Sequence, residues 1–192
     1  YAQIRDKVQA LGATNAIIFG ADHYILFSPR CLPQFLIATG DLHGPIDRLP
    51  GVANAPIASD PDFARNLLAY AHRSGFDVSA ARDLGVDHAI GVPAQLALPT
   101  DGSVKTVPVY MASGVEPYVR LQRAYEFGKM VREAVAAMST DERIVLIGSG
   151  GISHWVGTRE MGRINPEFDK KPLDAIVSGD PSPLLPITDQ EL

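Results

Sequence analysis

The sequence predicts an α/β fold in which helices flank a central sheet, and three observations indicate it. Segments typical of strands alternate along the chain with segments of helical apolar periodicity. Residues 144–147 form a short apolar run that ends in a glycine-rich bend, a pattern typical of a strand buried on both faces. Residues 118–138 place apolar side chains at helical spacing over the longest such segment. We therefore predict one domain over residues 1–192.

The helices are predicted from apolar periodicity and from residues that favour helix ends. In one of them Asp60 is the expected N-cap, and Pro61 lies in the first turn, where its fixed φ is favourable. His72 lies in the last turn of that helix, where positive charge suits the helix dipole, so we expect a structural histidine. The predicted helices cover residues 1–11, 60–75, 118–138 and 166–177, and residues 90–98 form a short helix or turn.

The strands are predicted from short runs rich in β-branched and aromatic residues that are bounded by glycine, proline or polar residues. The predicted strands cover residues 15–21, 34–38, 76–80, 106–112 and 144–147. Residues 40–58 contain repeated glycine and proline, so we predict a loop, and this loop holds His43.

Composition and charge exclude several classes of function. The net charge is −5 and the basic residues are scattered, whereas a nucleic-acid-binding protein usually has a basic face. No apolar run approaches the ~20 residues that cross a bilayer, so we expect no membrane partner. The single cysteine, Cys31, cannot form an intrachain disulfide and fits a reducing compartment, so a cytoplasmic location is expected. The chain starts at Tyr1 within a predicted helix, which is consistent with a natural N terminus further upstream.

Three histidines share one sequence context. His23 follows a strand as Asp-His, His88 follows a strand in a second Asp-His, and His154 follows the glycine bend as Ser-His. Strand ends in α/β sheets can meet at one crevice, and imidazole serves both as a metal ligand and as a proton shuttle. We therefore predict that the three side chains face one cavity. The alternative for each is a hydrogen-bonded structural histidine.

The glycine bend at residues 148–151 also permits a different interpretation, a phosphate cradle. It lacks the third glycine of the dinucleotide fingerprint and the Lys-Ser/Thr ending of a P-loop. The residues that follow show no helical period that would supply a phosphate-binding helix N terminus. A nucleotide-binding domain therefore rests on the bend alone.

Several motifs carry a resemblance to a known family. They are Asp22-His23-Tyr24 with the downstream Phe27, Pro33, Phe35 and Gly40; Val86-Asp87-His88; residues 148–154; and residues 164–169. In this order, over essentially the whole chain, the sequence resembles the class III (LigB-type) extradiol dioxygenases. The resemblance implies a mixed sheet flanked by helices, a non-haem Fe(II), and cleavage of a catechol-type aromatic ring with O₂ beside its hydroxyl pair. It also implies a homo-oligomer.

The resemblance assigns roles to the three histidines. It implies that His23 is a ligand of Fe(II), and that His88 and His154 are the proton donor and the proton acceptor. The two roles of the latter pair are interchangeable at this point. Asp22 and Asp87 either orient these histidines or are solvated.

The resemblance also implies two further iron ligands, a histidine upstream of this chain and a glutamate beyond Leu192. His43, Glu167 and Glu191 do not match those positions. We therefore expect either that the chain lacks an N-terminal strand and a C-terminal segment, or that it is a non-catalytic subunit or binding protein of the same fold.

Overall fold

The computed structural model describes residues 1–21, 23–113, 117–138, 141–153, 155 and 159–188. Within these residues strands and helices alternate, as predicted. The helices are α1 (Ala2–Ala10), α2 (Pro61–Arg73), α3 (His88–Leu96), α4 (Leu121–Ala137) and α5 (Pro166–Ser178). The strands are β1 (Asn15–Ala21), β2 (Phe35–Gly44), β3 (Ala55–Ile57), β4 (Ser79–Gly85), β5 (Lys105–Met111) and β6 (Ile144–Gly148).

The strands form one mixed sheet, which confirms the predicted fold class. Its order is β3-β2-β5-β1-β6, with β4 paired to β2. β1 is parallel to both β5 and β6, whereas β2 is antiparallel to β5 and β3 and parallel to β4. β4 therefore runs antiparallel to β1.

Helices cover both faces of the sheet because neighbouring strand residues point to opposite sides. Ile17 belongs to the core cluster that includes buried residues of α2 and α4. The next residue, Ile18, belongs to the other cluster, together with Val8 of α1 and Ile90 of α3. The sheet therefore lies between two helical layers. No helix among the described residues is long and apolar enough to cross a membrane.

The predicted loop at residues 40–58 is partly wrong. β2 continues through His43 to Gly44, and β3 lies within the same segment. The glycines that suggested a loop instead allow close strand contact, because a Cβ on Gly40 would lie 1.5 Å from the Arg82 carbonyl oxygen. Pairing with β2 also places β4 at residues 79–85 rather than at the predicted residues 76–80.

The prediction that residues 144–147 are buried on both faces is also wrong. β6 is an edge strand of the described sheet, paired with β1 alone, and Leu146 is 56% exposed. A short apolar run predicts a strand but does not say where in the sheet that strand lies. The predicted helices are confirmed within a few residues, and His72 has the expected structural role, since its Nε2 lies 2.9 Å from the Val78 carbonyl oxygen.

Candidate metal and proton-transfer site

His23 lies just beyond the carboxyl end of β1, where a helix approaches closely. Gly20 in β1 makes this approach possible, because a Cβ there would lie 3.0 Å from the Ala89 Cβ and 3.1 Å from the Ile90 Cδ1. The first turn of α3 therefore packs against the carboxyl-terminal end of β1. This contact brings His88, the first residue of α3, close to His23.

The two imidazoles are in contact, with ring centroids 4.2 Å apart and planes inclined by 34°. The sequence predicted that these rings would meet because their strands end at the same edge of the sheet. The rings do meet, but for a different reason. β4 is antiparallel to β1, so its carboxyl end lies at the opposite edge of the sheet. The buried residues Val86 and Asp87 connect β4 to α3, and Ala89 and Ile90 of α3 then pack against Gly20 of β1.

Asp87 is fully buried and holds the site together through both carboxylate oxygens. Its Oδ1 accepts from the Ala89 N–H at 3.2 Å, as the N-cap of α3, and from the Tyr110 hydroxyl at 2.9 Å. Its Oδ2 lies 3.1 Å from His23 Nδ1. A carboxylate only accepts hydrogen bonds, so His23 donates from Nδ1, and in the neutral ring the lone pair is then on Nε2. Of the two sequence interpretations, Asp87 is the orienting residue and not a solvated one.

His88 has a carboxylate partner of its own that the sequence did not indicate. His88 Nδ1 lies 2.5 Å from Asp47 Oδ2, and the two side chains are 36% and 15% exposed. The other oxygen, Asp47 Oδ1, is buried with no hydrogen-bond partner among the described residues. Asp47 lies in the connection between β2 and β3, which the sequence marks only as glycine- and proline-rich.

A metal ion has ligand atoms available here. One ligand atom each from His23, Asp87 and His88 lies within 4.8 Å of the others. Both oxygens of Asp87 already accept hydrogen bonds, so Asp87 suits the role of orienting His23 better than that of direct ligand. The cluster therefore offers imidazole nitrogens to a metal and a fixed carboxylate behind one of them.

The segment that follows the glycine bend contacts the start of α5. Ser153 Oγ accepts from the Asn165 N–H at 2.7 Å, and the Asn165 side chain caps α5 by accepting from the Phe168 N–H at 3.1 Å. Two of the motifs that carried the family resemblance therefore touch each other. Among the described residues no helix starts directly after the bend, since the next one is α5, so the phosphate-cradle interpretation gains no support. His154 and Asp22 lie outside the described residues.

Comparison with known protein families identifies a match over nearly the whole chain. Residues 1–191 match the family described as the catalytic LigB subunit of aromatic ring-opening dioxygenase.

Curated proteins with similar sequences carry related names. A 2,3-dihydroxyphenylpropionate/2,3-dihydroxicinnamic acid 1,2-dioxygenase of Photorhabdus laumondii subsp. laumondii is 27% identical over 88% of this chain and 52% of its own length. The protein of that name in Rhodococcus globerulus is 33% identical over 80% of this chain and 48% of its own length. A gallate dioxygenase of Pseudomonas putida is 30% identical over 69% of this chain and 39% of its own length. The chain thus spans about half the length, or less, of these relatives.

Proposed function

Because the chain belongs to the family of catalytic LigB subunits of aromatic ring-opening dioxygenases, we propose that the protein opens a catechol-type ring with O₂ at a non-haem Fe(II). The observation that carries this proposal is the pair of histidines in contact at 4.2 Å, each with a carboxylate at Nδ1. One of them is suited to hold a metal and the other to move a proton. The relatives are named for dihydroxyphenylpropionate and gallate, so we propose a phenolic substrate with adjacent hydroxyl groups.

His23 is the proposed iron ligand. Its Nδ1 donates to the buried carboxylate of Asp87, which fixes the plane of the ring and places the lone pair of the neutral imidazole on Nε2, the nitrogen proposed to bind the metal. Imidazole with carboxylate ligands is a donor set of non-haem Fe(II) oxygenases, so this residue fits the ion. When bound, Fe(II) supplies Lewis acidity and the redox chemistry that O₂ requires.

His88 and His154 are the proposed acid/base groups. A catechol hydroxyl must lose a proton to bind as an anion, and a proton must be returned as the ring opens. Groups that titrate near neutral pH suit both steps, and imidazole is the side chain with that property. His88 is 36% exposed, so a small substrate beside His23 can reach its ring.

One experiment tests the metal and the reaction together. The protein is loaded with Fe(II) without air, and iron per chain is measured beside O₂ uptake with catechol, 2,3-dihydroxyphenylpropionate and gallate. We expect O₂ uptake that depends on substrate and a ring-opened product that contains both oxygen atoms of O₂. Absence of both from an iron-loaded protein would contradict the proposed reaction.

Single variants then distinguish the two histidines. His23→Ala is expected to lose iron and turnover together. His88→Phe is expected to keep its iron and lose turnover by about 10²–10⁴-fold, the usual contribution of one acid/base group. His43→Gln is the matched control, because His43 lies in β2 and is an exposed histidine outside the site. If His88→Phe loses its iron as well, His88 is a ligand, which its place in the cluster of possible ligand atoms allows.

A further inference from the structure

We propose that Asp47 is the positioning residue of His88, and that it keeps the neutral ring protonated on Nδ1 so that Nε2 is the nitrogen that exchanges a proton with the substrate. The catalytic consequence rests on the ring-opening function proposed above. The orientation and protonation of the ring do not, and they are tested separately.

The contact itself dictates which nitrogen carries the proton. Asp47 Oδ2 lies 2.5 Å from His88 Nδ1, and a carboxylate has no hydrogen to donate. The imidazole must therefore supply the hydrogen from Nδ1. In the neutral ring the lone pair is then on Nε2, at the edge of the ring that Asp47 does not occupy.

In the described part of the chain, Asp47 has no structural role, such as capping a helix, that would explain its position. Asp87 caps α3 and also accepts from the Tyr110 hydroxyl, so it would be needed for the fold even without His23. Asp47, in contrast, has His88 as its described hydrogen-bond partner, and its Oδ1 is buried without one. A buried acceptor without a partner is unfavourable and rare in folded proteins, so the position of this carboxylate favours a role in the site.

The backbone around Asp47 holds it in place against α3. The Ile46 N–H donates to the Val86 carbonyl oxygen at 2.9 Å, so the residue before Asp47 is bonded to the segment that leads into His88. Gly91 permits the close packing, because a Cβ there would lie 2.8 Å from the Pro45 nitrogen. The carboxylate and the ring are therefore positioned by one rigid contact between the loop and the helix.

Nitrogen NMR of the histidine rings tests the proposal directly. Correlations from the carbon-bound ring protons report which ring nitrogen carries hydrogen, and His88→Gln identifies the His88 signals by their loss. The protein is first freed of metal with a chelator, because iron would broaden these signals. At a pH where the imidazole is neutral, we expect His88 to carry its hydrogen on Nδ1. His72 is an internal reference for the opposite form, since its Nε2 faces the Val78 carbonyl oxygen at 2.9 Å.

The variant Asp47→Ala adds a second measurement. We expect His88 to become a mixture of both forms, and kcat of the iron-loaded protein to fall about 10–100-fold while KM and iron content change little. Asp62→Ala is the matched control, because Asp62 is a carboxylate on α2 that is 89% exposed. If Asp47→Ala fails to fold, the spectrum of the unmodified protein still decides.

The two proposals fail in different ways. Hydrogen on Nε2 of His88 in the unmodified protein, or an unchanged His88 spectrum in a folded Asp47→Ala, would overturn the role of Asp47. An iron-loaded protein without ring-opening activity would overturn the proposed function, while the NMR result would still decide the orientation of His88.

Discussion

Replacing Asp87 with asparagine is expected to weaken metal binding while leaving the fold nearly intact. In the native protein Oδ1 accepts from Ala89 and Tyr110, and Oδ2 accepts from His23. In the variant, the Ala89 N–H and the Tyr110 hydroxyl still need an acceptor, so the amide oxygen takes the place of Oδ1. The NH₂ group must then face His23 Nδ1. Two donors cannot bond each other, so His23 moves its hydrogen to Nε2. The lone pair proposed for the metal is thereby lost.

The magnitudes separate the two functions of Asp87. Asparagine caps a helix as well as aspartate does, so Asp87→Asn should lose only about 1 kcal/mol through weaker hydrogen bonds. That loss lowers Tm by about 2–4 °C for a chain of this size. Metal affinity should fall by about 10–100-fold, as for other residues that orient a ligand. Asp87→Ala removes the cap, at about 1 kcal/mol, and the hydrogen bonds to a charged group, at about 1.5–3 kcal/mol, so it should destabilise strongly.

The assay compares Tm with the iron dissociation constant in the same preparations. Asp60→Asn is the matched control, because Asp60 caps α2 by accepting from the Phe63 N–H at 3.0 Å and also accepts from Asn15 Nδ2 at 2.9 Å. Asn15 begins β1, so Asp60 lies at the edge of the sheet away from His23. The control should lower Tm by a similar amount with no effect on iron affinity. If Asp87→Asn binds iron as tightly as the unmodified protein, the reasoning about His23 is refuted.

Three further predictions follow from other parts of the chain. His154→Phe should keep normal iron content and lose turnover by about 10²–10⁴-fold, measured by iron analysis and O₂ uptake; normal turnover would make His154 a structural residue. Leu67→Ala, at a fully buried position of α2, should destabilise by about 2–5 kcal/mol in urea unfolding, and a smaller loss would mean that the core closes around the cavity. Burial alone would raise the pKa of Asp60, but the hydrogen bonds from Phe63 and Asn15 and the Lys105 charge lower it. The lowered pKa stabilises the fold above pH ~4, and this contribution is lost as pH falls through the folded-state pKa, so Asp60→Asn should lose less stability on acidification.

Local signals were sufficient to predict the helices and several of the strands. α2 is an example, because its N-cap Asp60, Pro61 and apolar spacing all lie within one short segment. β1 was also predicted with its observed bounds, since its apolar run is flanked by polar residues. Sequence motifs singled out His23, His88 and His154, and the first two lie together in the structure. These features depend only on residues that are close together in the chain, so the sequence is sufficient to predict them.

Only the tertiary structure decided which residues meet across the sheet. The length of β2 depends on its pairing with β4, and Gly40 resembles a loop glycine until the Arg82 carbonyl oxygen is placed beside it. His88 meets His23 from the start of the helix that follows β4, a strand antiparallel to β1, and Asp47 contacts His88 from a loop 41 residues earlier. Pairing, packing and hydrogen bonds between distant segments have no local pattern in the chain, because they are set by the free energy of the whole fold. The sequence therefore determined the chemistry available to this protein, and the fold determined which carboxylate serves which histidine.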